Sequence, residues 1–67
     1  MNSILTQREK EIFNLLINNH TTKEISKRLS ISEKTVRNHI SNVMQKLGVV
    51  SRSSAVVELL KLNELSI

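Results

Sequence analysis

The sequence predicts an all-α domain of four helices, and three observations carry the prediction. Among 67 residues there is no Pro, Trp or Tyr, one Gly and one Phe, whereas strands draw on aromatics and tight sheet turns on Gly and Pro. Four stretches each open on a Ser or Thr in a helix-capping position. Behind each cap, apolar residues recur at intervals of three and four, the period of a helix with one buried face.

The first helix is expected over about 7–17. Thr6-Gln7-Arg8-Glu9 is a capping box, in which the Thr hydroxyl accepts from the amide three residues on and the Glu reaches back. Leu5 stands at the staple position before it, and Ile12, Phe13, Leu16 and Ile17 share one side. Asn18-Asn19-His20 ends the helix, because Asn tolerates the left-handed conformation of a tight exit. Thr21-Thr22-Lys23-Glu24 repeats the device for a short helix over about 22–29, with Ile25 and Leu29 as its buried pair. Ser30-Ile31-Ser32 is a three-residue turn anchored by Ile31, and Ser32 caps a longer helix over about 33–47. Gly48 closes that helix where positive φ is favoured, and Lys46 in its last turn suits the helix dipole. The last helix is expected over about 52–62 behind Ser51, followed by a short tail. One domain over 1–67 accounts for the whole chain, and Met1-Asn2-Ser3-Ile4 reads as a natural start.

Composition narrows the function. With no Cys, neither disulfides nor a thiolate metal site can brace so small a core. That suits a reducing cytoplasm, as does the lack of a signal peptide or long apolar run. His20 and His39 are not spaced as a helical ligand pair, so no metal or other cofactor is expected. No nucleophile–base arrangement and no phosphate loop is present, and Glu9 is used by its capping box; the chain does not read as an enzyme. The scarcity of aromatics also argues against single-strand binding by base stacking.

The net charge is +4, and its placement matters more than its size. Residues 1–22 are neutral, Arg8 and Lys10 balancing Glu9 and Glu11. Residues 23–52 hold Lys23, Lys27, Arg28, Lys34, Arg37, Lys46 and Arg52 against Glu24 and Glu33, a net of +5. Residues 53–67 are −1, with Lys61 against Glu58 and Glu64. A localised basic patch is the electrostatic footprint of nucleic-acid binding.

The helix at the centre of that patch has two faces. Val36, Ile40, Val43 and Leu47 form a core stripe, while Lys34, Arg37, Asn38, Ser41 and Gln45 form a row of polar side chains on the other side. Cationic and amide groups on a rigid rod suit the base edges of a DNA major groove. A short helix, a tight turn and such a rod make a helix-turn-helix.

At this point the chain resembles the LuxR/FixJ family of helix-turn-helix domains. The resemblance rests on Leu5-Thr6-Gln7-Arg8-Glu9-Lys10-Glu11-Ile12, Thr22-Lys23-Glu24-Ile25, Ile31 to Ser41, and Lys46-Leu47-Gly48-Val49 with Arg52. These elements come in the family's order and span about residues 5–62. Within the family, the likeness is to small members that regulate spore-coat genes. Three positions depart from the pattern: Asn19 and Asn63 stand where Gly is frequent, and Ser26 where Ala is usual on the second helix.

The resemblance implies a transcription regulator of sporulation genes that binds double-stranded promoter DNA and activates by touching RNA polymerase. It implies base contacts by Arg37, Asn38 and Ser41, with Lys34 reaching either a base or a phosphate. Thr22, Lys23, Thr35, Asn42, Lys46 and Arg52 are the corresponding phosphate candidates. Thr22 could equally do no more than start its helix, and Arg52 could pair with Glu58. Ala55, Val56, Val57, Leu59, Leu60 and Leu62 give the last helix more apolar surface than one face buries. Core packing or a homodimer surface could use it; the family's dimer contact implicates Val56, Val57 and Leu60. Two alternatives stand beside this reading: a helical module that binds another protein, and a DNA-binding piece of a larger response regulator.

Overall fold

The computed structural model describes residues 4–65, so the expected start at Met1–Ser3 lies outside the described residues. Four helices follow in order: α1 Gln7–Ile17, α2 Thr22–Leu29, α3 Glu33–Leu47 and α4 Arg52–Lys61. Three match the expected bounds, and α4 ends one residue sooner because Leu62 serves as its cap.

The expected caps form. The Thr6 and Thr21 hydroxyls accept from the amides of Glu9 and Glu24, whose carboxylates return the bond to the Thr6 and Thr21 amides. Ser32 and Ser51 accept from the amides of Thr35 and Ser54. Each such cap contributes about 1 kcal/mol, a large share for helices as short as α2.

All four helices end in one way. Asn19, Ser30, Gly48 and Asn63 have φ of 67°, 57°, 69° and 59°. Beyond them the amides of His20, Ile31, Val49 and Glu64 reach back to the carbonyls of Leu15, Ser26, Met44 and Leu59, the closing bond of a Schellman motif. Asn19 and Asn63 therefore take a conformation that favours Gly, since a short amide side chain tolerates this region. The turn between α2 and α3 has no Gly, and Ser30 bears the strain instead.

α3 touches each of the other helices, and α1 also packs on α2. The core joins Leu5, Ile12, Phe13, Ile25, Val36, Ile40, Val43, Ala55, Leu59 and Leu65. Burying a side chain such as Phe13 or Ile25 contributes about 1.5–3 kcal/mol. Leu29 and Ile31, expected as buried anchors, are only partly covered and pack against the edge of this cluster. Ser26, the departure on α2, is buried and satisfies its hydroxyl by donating to the Lys23 carbonyl at 2.7 Å. Leu65, expected in a short tail whose Ser66 and Ile67 lie outside the described residues, is buried in the core.

Candidate nucleic-acid interface

α3 is 15 residues long, or about 22 Å at 1.5 Å per residue. Val36, Ile40 and Val43 bury one side of it against the other three helices, which fixes the direction of the opposite side. Lys34, Arg37, Asn38, Ser41, Asn42 and Gln45 are all exposed. The expected base-reading residues thus lie on one helix whose orientation the core dictates.

Arg37 is not free within this row. Its Nη1 lies 3.6 Å from Oε1 of Glu33, one turn back, with both side chains about half in water. Glu33 is the only acid on α3. Sequence reasoning missed this pairing, although the i, i+4 spacing of acid and base was visible.

The phosphate candidates divide into groups. Thr22 and Lys23 open α2, and Arg52 opens α4; the Arg52 Nη1 donates to the Thr22 Oγ1 across a long 3.5 Å. Arg52 is therefore directed toward the start of α2 rather than toward Glu58. Arg52 and Thr22 bring the first residues of α4 and α2 together at this corner, and helix N-termini favour anions. Thr35 is partly buried, with its hydroxyl 2.9 Å from that of Ser32, and Asn42 lies on the exposed flank of α3.

Lys46, also expected at a phosphate, stands apart from them with an ion-pair partner inside the fold. Its Nζ lies 2.6 Å from Glu9 Oε1 and 3.3 Å from the Ile4 carbonyl. Glu9 is only 4% exposed, so withdrawing Lys46 toward DNA would strand a buried carboxylate. Burial by itself pushes the Glu9 carboxyl up, but the Lys46 ammonium and the Thr6 amide and hydroxyl outweigh it and hold it below the usual range. Glu24 is lowered as well, chiefly by the Thr21 amide, with smaller help from the Thr21 hydroxyl, His20 and Arg28.

On α4, Ala55 and Leu59 are buried. Val56 and Leu60 pack partly against the core, while Val57 and Leu62 are each 50% exposed. A shallow depression beside Val56 and Val57 is bounded by Leu16, Ile17, Asn19 and Ser53. Val50, between α3 and α4, is 95% exposed. Among the described residues no three His, Cys, Asp or Glu side chains gather as a metal site would need. No helix among them is long and apolar enough to cross a membrane.

A short helix, a three-residue turn and a recognition-type helix with an outward polar face define a helix-turn-helix DNA-binding domain of a transcription regulator. Residues 3–59 match the luxR family of bacterial regulatory proteins, and the chain belongs to that family. It is 66% identical to the spore germination protein GerE of Bacillus subtilis over 64 residues, covering 96% of this chain and 86% of that protein. A solved structure of the transcription factor GerE superposes with a TM-score of 0.95 at 65% identity, covering 97% of each chain. The transcriptional regulatory protein DegU of Brevibacillus brevis is 48% identical over 58 residues, which is 87% of this chain but 25% of DegU.

Proposed function

We propose that this domain regulates sporulation genes in the cytoplasm as a homodimer that reads the major groove of promoter DNA with α3. The observation that carries the reading is the division of α3: Val36, Ile40 and Val43 are held in the core while Lys34, Arg37, Asn38 and Ser41 are all presented outward. Arg37 suits the O6/N7 edge of guanine and Asn38 the N6/N7 edge of adenine. Ser41 can bond either kind of edge, and Lys34 reaches a base or a phosphate. Thr22, Lys23 and Arg52, with Thr35 and Asn42, contact phosphates and set the register without choosing sequence.

The sporulation assignment is supported by the 66% identity to the spore germination protein GerE. α3 spans one groove half-site, so specificity calls for a second copy. The half-exposed Val57, with Val56 and Leu60 beside it, supplies an apolar surface for a two-fold contact that sets half-sites about 34 Å apart. A promoter-bound dimer then acts on transcription by contact with RNA polymerase.

The test is fluorescence anisotropy on promoter duplexes of spore-coat genes and on shuffled duplexes, over a range of salt. Tight binding to the promoters with a steep salt slope is the expected result. Arg37→Ala should cost about 1–3 kcal/mol and relax preference at one base pair. Equal binding to promoter and shuffled DNA, or an Arg37→Ala variant with unchanged preference, would overturn the assignment.

A further inference from the structure

Glu33 places a negative charge at the edge of a face that approaches a polyanion. All other charged side chains on α3, Lys34, Arg37 and Lys46, are cations. The fold gains little from the Glu33–Arg37 pair, which spans 3.6 Å with 46% and 55% of the two side chains in water. The helix dipole gives a second reason for an acid in the first turn, but that reason is satisfied by any carboxylate and requires no contact with Arg37. The geometry has a more specific consequence. An arginine side chain carries large rotamer freedom, and a carboxylate one turn back restricts it while leaving the rest of the guanidinium fork open.

We propose that Glu33 is a positioning residue for DNA readout: its carboxylate holds Arg37 aimed at a guanine edge and opposes its capture by phosphates. This inference rests on the reading of α3 as the groove-binding helix. On a duplex offering guanine at the right place, Arg37 donates to O6 and N7 and keeps Glu33 as a lateral partner. On other DNA, Arg37 satisfies itself only by swinging to a phosphate. That movement breaks the pair and leaves the Glu33 carboxylate unscreened beside the backbone. Glu33 thus weakens binding everywhere and weakens it least at the correct site, so it trades affinity for discrimination.

Two substitutions separate this from a dipole effect. Glu33→Asp keeps the charge at the helix start but shortens the side chain, so it loses its reach to Arg37. Glu33→Ala removes charge and reach together. The readout is the ratio of dissociation constants for a selected duplex and for the same duplex changed at the single base pair that Arg37→Ala renders indifferent. Both Glu33 variants should lower this ratio about five- to tenfold, within the range of one bidentate base contact. Discrimination at the other base pairs should not change. Only Glu33→Ala should also tighten binding to random duplex, by about threefold at moderate salt. In an Arg37→Ala background neither Glu33 substitution should alter discrimination.

Retention of the full ratio by Glu33→Asp and Glu33→Ala overturns the proposal while leaving groove reading by α3 intact. An equal loss of discrimination at every base pair also overturns it, because that is the mark of a damaged helix. Failure of the parent chain to prefer any duplex overturns the reading of α3 itself, and the role of Glu33 with it.

Discussion

Replacing Lys46 with Met tests the long-range ion pair that ties α1 to the far end of α3. The substitution keeps an unbranched aliphatic side chain and removes the ammonium 2.6 Å from Glu9. Taking one partner from a fully buried pair costs about 3–5 kcal/mol. Here the Lys46 side chain is 36% exposed, so solvent screens its charge. Glu9 also keeps its bond from the Thr6 amide at 2.9 Å. The expected loss at neutral pH is therefore about 2 kcal/mol, or a melting temperature lower by about 8–16 °C in a domain of this size.

The loss depends on pH with a definite sign. The folded Glu9 carboxyl sits below its usual range, so the pair stabilises fully above the unfolded carboxylate value and fades as pH falls through the folded one. In Lys46→Met the upward push of burial is no longer offset by the ammonium, and the Glu9 carboxyl moves up. The gap between the two proteins should be widest near pH 7 and should narrow from about pH 5 downward. The chain lacks Trp and Tyr, so urea unfolding is followed by far-ultraviolet circular dichroism rather than fluorescence. A shift below about 0.5 kcal/mol at pH 7, the range of a surface pair, would refute the buried-pair reasoning. So would a gap that stays constant into acid.

The helix exits give a pair of opposite predictions. A Cβ at Gly48 would meet nothing within 4 Å, so Gly48→Ala should cost about 1 kcal/mol through positive φ alone. Ser30→Gly relieves the same strain in the α2–α3 turn and should stabilise by about 0.5–1 kcal/mol after the entropy of glycine is deducted; thermal melts check both. At the corner where Arg52 meets Thr22, Arg52→Ala should weaken binding equally for all sequences and lower the salt slope by about 0.9. On α4, Val57→Glu should abolish dimers in sedimentation and reduce affinity for duplexes with two half-sites, while affinity for a single half-site stays unchanged.

Much of this architecture was legible in local sequence. Thr6, Thr21, Ser32 and Ser51 each cap the helix they were expected to cap, because a cap bond spans three residues and owes nothing to distant parts of the chain. The outward row on α3 was equally readable, since helical period alone separates it from Val36, Ile40 and Val43. The departures at Asn19 and Asn63 proved to be conservative in backbone terms: both adopt the positive φ for which glycine is common. The extent of burial was less readable. Ile31 and Leu29 fit an apolar pattern yet sit at the core edge, whereas Leu65, outside any pattern, is buried.

The sequence by itself determined where helices begin and end, which face of α3 is polar, and that positive charge gathers around it. These properties follow from hydrogen bonds and spacings within a turn or two of chain. Only the tertiary structure decided what the charges do. Lys46 and Glu9 are 37 residues apart and Arg52 and Thr22 are 30 apart, and no local rule relates such positions. Packing α1 against α3 buried Glu9 and paired it with the exposed Lys46. Packing α4 against α3 brought Arg52 to the start of α2, within 3.5 Å of the Thr22 hydroxyl. Charge and period pick out the polar face of α3, but tertiary contacts decide that Lys46 pairs with an acid from another helix.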